Sequence, residues 1–295
     1  MTAASPVDSI RLALPKGRME QGVQALLAEA GIRVRASARG YRPTVTLPGV
    51  PGVEAKILKP QNIVEMLAAG SRDFGFAGAD WVKELNIELV DLLDTGLDPV
   101  RLVAAAPGEL LVNGTLPTNR PLVVASEYTR LTTDWIKARG LNARFVKSFG
   151  ATEVFPPEDA DCIVDVAATG ATLAANGLVV FDEVYVSSTR MYASPAAMTD
   201  PRKRDVADRL VMLLRSVLEA RKRVMLEVNV SRERLEAVVK ALPCMREPTI
   251  SMLHGEGGYA VKAAVPKDDL ARLIPEIKKQ GGTDIVVSTL GQIVP

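Results

Sequence analysis

Short apolar runs of strand length alternate with stretches of helical periodicity along most of the chain, and this alternation constrains the fold more than any other feature. Residues 10–14 read as a buried strand, Pro15-Lys16-Gly17-Arg18 as a loop, and 19–30 as a helix stopped by Gly31. The polar, Pro/Gly-rich stretch 38–52 reads as a long excursion. A strand near 55–58, a helix near 62–69 and a strand at 74–77 follow, and Asp98-Pro99 reads as a breaker. Segments 100–106, 122–125, 144–149, 162–166 and 180–186 read as strands, with 107–120 a polar loop. The pattern predicts an α/β fold with a mostly parallel sheet.

Residues 205–221 form the clearest amphipathic helix, with Val206, Leu210, Leu213, Leu214 and Val217 on one face. From Val224 the order becomes strand, helix, strand, strand, helix, strand, with helices at 231–242 and 268–280. That βαββαβ order is ferredoxin-like, and the roughly 70 residues suffice for one small domain. Pro275 is expected to kink or break the second helix.

The chain has 295 residues, 36 Lys+Arg against 35 Asp+Glu, 47% apolar residues and 24% charged ones. This is ordinary globular usage, and the balanced charge argues against a nucleic-acid surface or a polybasic membrane anchor. No apolar run approaches the ~18 residues of a membrane span, and residues 1–9 carry no signal pattern. Only two cysteines, Cys162 and Cys244, and one histidine, His254, are present. A disulfide framework, a structural zinc site and a multi-histidine metal centre are therefore not expected. The expected setting is a reducing, cytoplasmic one.

The most informative stretch is Cys162-Ile163-Val164-Asp165-Val166-Ala167-Ala168-Thr169-Gly170-Ala171-Thr172-Leu173. A strand delivers one acid at its carboxyl end, and a Thr-Gly-Ala-Thr turn opens a helix over 171–176. Such a turn offers N–H groups, hydroxyls and partial positive charge to a phosphate. Asp165 can then accept from sugar hydroxyls or position a magnesium-bound water. A capped βα turn without a ligand would leave the same trace.

Three further motifs follow strands. Lys16 and Arg18 around Gly17 make a phosphate grip or a solvated turn. Asp73-Phe74-Gly75-Phe76-Ala77-Gly78-Ala79-Asp80 presents backbone N–H groups and an acid, or only a tight turn. Gly150-Ala151-Thr152-Glu153 places a second acid in a loop. All four fall at carboxyl ends of strands, where open parallel sheets collect ligands. Their convergence favours a phosphate-bearing ligand between two α/β lobes.

Taken together, these motifs resemble the long form of ATP phosphoribosyltransferase. The resemblance spans residues 10–295. It rests on Asp165–Leu173, Ala175-Asn176-Gly177-Leu178, Leu14–Arg18, Arg39-Gly40-Tyr41, Gly75–Asp80 and Ala151-Thr152-Glu153-Val154. It implies two lobes like those of periplasmic binding proteins, at 1–97 plus 181–223 and at 98–180, and a C-terminal regulatory domain at 224–295. It implies transfer of phosphoribosyl from phosphoribosyl pyrophosphate to N1 of ATP with Mg²⁺, the first step of histidine biosynthesis. No protein nucleophile is expected, and metal ligands stay unassigned. Asp165, Thr169, Gly170, Ala171 and Thr172 would hold phosphoribosyl pyrophosphate. Lys16, Arg18, Asp80 and Glu153 would face ATP or pyrophosphate. Asn229 and Thr249 would contact an L-histidine inhibitor, and the assembly would be a homo-oligomer, dimers forming a hexamer.

The chain also departs from the family pattern. Ala168 stands where an acid or hydroxyl is common, and Lys59 and Asn62 stand where Arg and Asp are common. The span between Glu153 and Asp165 is one residue short. Members that respond to histidine often show an acid near Asn229, and Glu247 precedes Pro248-Thr249 where a serine is common. A solute-binding module, a phosphoribosyltransferase for another base and a catalytically silent regulatory relative are the rival readings.

Overall fold

The structure is a computed structural model that describes residues 9–36, 40–255 and 257–294; Arg39 of the Arg-Gly-Tyr motif lies outside them. The chain divides into two units, 1–25 with 32–208, and 26–31 with 209–295.

In chain order the first unit contains β1 (Ile10–Pro15), α1 (Arg18–Glu29), β2 (Arg33–Arg35), β3 (Thr44–Thr46), β4 (Val53–Leu58), α2 (Pro60–Ala68), β5 (Phe74–Gly78), α3 (Ala79–Leu85) and β6 (Val90–Pro107). It continues with β7 (Leu122–Ser126), α4 (Thr129–Ala138), β8 (Ala143–Lys147), β9 (Cys162–Ala167), α5 (Ala171–Ala175), β10 (Leu178–Ala193) and α6 (Pro201–Arg221). The unit division falls within α1 and within α6.

Ten strands form one sheet in the order β2-β3-β4-β1-β5-β10-β6-β9-β7-β8. The β4-β1-β5 and β9-β7-β8 groups are parallel, and between them β10 and β6 run antiparallel to each other and to their neighbours. The expected mostly parallel sheet is thus two parallel lobes joined by two long antiparallel strands. The breaker expected at Asp98-Pro99 instead lies inside β6. Asp98 takes a left-handed φ of 46°, and its carboxylate accepts from Thr189 Oγ1 at 3.2 Å. The strand absorbs a residue without an N–H because pairing shifts register between Ser187 and Thr189 of β10. The excursion at 38–52 also gains the short strand β3, and α3 and α4 were not expected.

Each lobe has its own core. Ala13, Ile63, Val64, Leu67, Ala77 and Tyr192 pack in the first. In the second, α4 covers Leu102, Val124, Cys162 and Val164, while Leu173 of α5 packs with Val103, Ala105, Ala125 and Ile163. Burial pushes the Cys162 thiol up, as befits an inert core residue. Beneath the first lobe, Asp73 is 1% exposed and accepts from Arg11 Nη2 at 2.6 Å and Lys203 Nζ at 2.8 Å. It ties β1 to α6, and these two cations hold its carboxyl below the usual range despite burial.

The second unit carries β11 (Arg223–Val230), α7 (Leu235–Ala241), β12 (Thr249–Met252), β13 (Tyr259–Pro266), α8 (Leu270–Lys279) and β14 (Thr283–Thr289). Its sheet has the order β12-β13-β11-β14, antiparallel throughout. This is the ferredoxin-like arrangement. Val224, Leu226, Val228 and Val230 alternate inward against Val238, Leu273 and Ile277 of the helices. Pro275 does not break α8, which runs on to Lys279.

Candidate active site

The carboxyl ends of β1, β5, β7 and β9 supply the polar groups. At the end of β9, Asp165 is half-buried, and its Oδ1 accepts from the N–H of Val166 at 2.7 Å. Among the described residues no lysine or arginine pairs with it. Burial, reinforced by Glu153 and Glu127, pushes its carboxyl up to about 6. An acid held without a countercharge is the arrangement expected where a ligand supplies the missing partners.

The Thr-Gly-Ala-Thr turn follows. Gly170 adopts φ 77°, a conformation that a side chain rarely takes. Thr169 Oγ1 accepts weakly from the Ala171 N–H at 3.4 Å, and Thr169, Ala171 and Thr172 are all exposed at the start of α5. Helix α5 spans five residues and ends before Asn176.

On the first lobe, Lys16 and Arg18 are exposed. Lys16 Nζ donates to Tyr41 Oη at 3.0 Å and lies 4.8 Å from that ring's centroid. The hydrogen bond to Tyr41 raises the lysine pKa, so Lys16 stays a cation. Arg18 Nη1 donates to the Asp98 carbonyl at 3.3 Å, which fixes it to the crossing strands.

The carboxylate of Asp80, one of the residues expected to face ATP or pyrophosphate, is engaged within the protein. It is 3% exposed. Its Oδ1 accepts from Ser187 Oγ at 2.6 Å and its Oδ2 from Tyr128 Oη at 2.7 Å. A Cβ on Gly78 would collide with Asp80 Oδ1, so a side chain there would push the carboxylate off Ser187. Two neighbours extend the contact: Trp81 stacks on Tyr128 with centroids 4.7 Å apart, and Glu84 accepts from the N–H groups of Arg130 and Leu131, each at 3.0 Å. A carboxylate thus caps the free N-terminus of α4. Asp80 and Glu84 strap one lobe to the other.

Tyr128→Phe keeps the ring on Trp81 but leaves Asp80 Oδ2 buried and unpaired. A loss of about 1–3 kcal/mol is expected, read from the urea midpoint at unchanged slope. A midpoint identical to wild type would contradict the strap.

Sequence reasoning missed Glu127, Tyr128, Glu84 and Ser187. Glu127 lies just past the end of β7, where the strand-end rule that found Asp165 would have found it too. The others act across sequence separations of 46 to 107 residues and leave no local trace.

The family model described as ATP phosphoribosyltransferase matches residues 59–216. A second, described as the C-terminal domain of that family, matches 220–292. The chain belongs to the ATP phosphoribosyltransferase family. The ATP phosphoribosyltransferase of Pelotomaculum thermopropionicum is 33% identical over 291 residues, 97% of this chain and 99% of that one. The enzyme of Solibacter usitatus is 33% identical over 292 residues, again 97% and 99%. An ATP phosphoribosyl transferase (HisG:HisZ) complex from Thermotoga maritima shares the fold at TM-score 0.60 and 24% identity, over 70% of this chain and 98% of that one. The chain is therefore an ATP phosphoribosyltransferase, a pentosyltransferase of the first step of histidine biosynthesis. The first matched span holds Glu127, Glu153 and the whole of Asp165–Thr172. No helix among the described residues is long and apolar enough to cross a membrane.

Proposed function

We propose that the cleft joins ATP to phosphoribosyl pyrophosphate through adenine N1, releasing pyrophosphate. The observation that carries this is the unpaired Asp165 beside an exposed Thr-Gly-Ala-Thr turn. The turn from Thr169 to Thr172 receives the ribose 5-phosphate on its hydroxyls and N–H groups. Asp165 accepts from the ribose hydroxyls. Lys16 and Arg18 neutralise phosphates arriving from the other lobe. Positive charge developing on the ribose and negative charge leaving with pyrophosphate are both met by preplaced groups. Catalysis then rests on positioning and electrostatics, without a protein nucleophile.

Asp165, Glu153 and Glu127 are hard oxygen donors and suit Mg²⁺. No group of three or more ligating residues is close enough to chelate it among the described residues. A magnesium carried in by the diphosphate, touching one carboxylate directly or through water, fits that donor set. When bound it would neutralise the leaving group.

The second unit is proposed to bind L-histidine as inhibitor. Thr249, Arg246, Lys262, Glu247, Met225 and Met245 line a cavity of about 220 Å³. Arg246 offers a cation to an amino-acid carboxylate, which offsets Glu247, while Lys262 is paired with Glu227 at 2.9 Å. Asn229 lies elsewhere on this sheet, donating to Asp284 Oδ2 at 3.1 Å. A homo-oligomer of dimers assembled into a hexamer, in the cytoplasm, completes the proposal.

The test is pyrophosphate release with each substrate omitted in turn, then with L-histidine added. Release is expected only with ATP, phosphoribosyl pyrophosphate and Mg²⁺ together, falling with histidine. Release without ATP would contradict the transfer, and no response to millimolar histidine would remove the feedback.

A further inference from the structure

Among the described residues only two aromatic side chains stand largely exposed, Tyr41 at 57% and Phe149 at 89%. Tyr41 is engaged by Lys16. Phe149 has no comparable partner, and it stands on a turn that the structure holds fast. Ser148, 1% exposed, donates its N–H to the Ser126 carbonyl at 3.0 Å. Its Oγ lies 2.7 Å from Thr152 Oγ1, which is also buried. Lys147 Nζ donates to the Glu127 carbonyl. Between these anchors Gly150 and Ala151 take φ 92° and 47°. A non-glycine residue there is strained, and such strain persists at ligand clamps when the surroundings enforce it.

The turn borders the proposed cleft on two sides. A Cβ on Gly150 would lie 3.9 Å from Glu127 Oε1, and Glu153 at its far end repels Asp165. A fixed turn that holds an aromatic face out into water beside a sugar-phosphate site suits a flat heteroaromatic ring. Resting on the function proposed above, we infer that Phe149 is the stacking platform for the purine base of the acceptor nucleotide. Stacking on an aromatic face is tolerant of base identity. Phe149 therefore supplies affinity for any purine nucleotide, and selection of adenine falls to other groups.

The experiment compares wild type, Phe149→Ala and Phe149→Trp in steady-state turnover and in calorimetric ATP titration. Phe149→Ala is expected to raise KM and Kd for ATP about ten- to a hundredfold. KM for phosphoribosyl pyrophosphate stays within about twofold, and kcat changes little, because binding is lost equally in the ground and transition states. Phe149→Trp restores ATP affinity, and Kd for GTP rises in Phe149→Ala by a similar factor. An unchanged ATP Kd in Phe149→Ala, in a chain whose wild type binds ATP, overturns the inference and leaves the proposed reaction standing. A wild type that binds ATP but releases no pyrophosphate removes the reaction, while the titration still decides the role of Phe149. A wild type that does not bind ATP overturns both.

Discussion

Asp165→Asn is expected to weaken the enzyme and strengthen the fold at the same time. The substitution keeps an oxygen for the Val166 N–H and removes the charge. Losing charge-assisted hydrogen bonds to two ribose hydroxyls should lower kcat/KM for phosphoribosyl pyrophosphate about a hundredfold or more. The native carboxyl titrates near 6, against 3.8 for a free one. Above pH 6 the native state must hold an ion that burial and two neighbouring acids disfavour. That difference corresponds to at most about 3 kcal/mol, recovered in the variant. Because this carboxyl is raised in the native state, the gain is full at pH 8, shrinks as pH falls through 6, and vanishes well below pH 4, where both states are neutral. In the wild type, kcat/KM should rise with pH to a plateau above about 6, because the free enzyme needs Asp165 ionised. Urea melts at pH 8 and pH 4, with a pH–rate profile, check all three. A variant that is less active and also less stable at pH 8 would mean that Asp165 is structural.

Asp73→Ala should produce the largest stability loss. Removing the acid leaves Arg11 and Lys203 without their shared partner and Arg72 close by. Arg72 is 8% exposed, and its Nε and Nη1 already lack hydrogen-bond partners. Breaking a buried pair from one side costs about 3–5 kcal/mol. Because the Asp73 carboxyl is held below its usual range, its contribution is complete at neutral pH. It is lost only as pH falls below 3.8 and on through the lower native value, so the gap between variant and wild type should still be present at pH 5 and close only well below pH 4. Asp73 is remote from the cleft groups, and kcat of the folded variant should change little. The urea midpoint at pH 7 decides; a shift worth less than about 1 kcal/mol would show that the cations find other partners.

The extent to which the sequence foretold this molecule follows the range of the interactions. The Asp165 strand, the phosphate turn and the alternating strand that opens the second unit are local patterns, and they fold where their periodicity says. The family resemblance extended that reading to the two lobes. The long strands β6 and β10 were hidden because Gly96, Asp98 and Pro99 look like an ending. Their pairing along the whole crossing outweighs those residues. Helix α4 was hidden by its threonines at 129, 132 and 133, and its start is stabilised by Glu84 from the other lobe. Asp80 shows the limit from the opposite side. Its motif was found, but which way its carboxylate turns depends on Tyr128 and Ser187, far along the chain. Phe149 looks in the sequence like the end of a strand, since exposure of an aromatic ring is a property of the fold and not of the motif.

The central claim is a bond between a phosphoribosyl carbon and ATP, made on the Asp165–Thr172 turn. The most direct measurement is mass spectrometry of the nucleotide formed from ATP and phosphoribosyl pyrophosphate with Mg²⁺, comparing wild type with Thr169→Ala. The account predicts a product equal to ATP plus the phosphoribosyl group, with pyrophosphate released in equal amount, and a sharply reduced yield from the variant. Unmodified ATP after prolonged incubation with a wild type that binds both substrates would contradict it, as would full product yield and rate from Thr169→Ala.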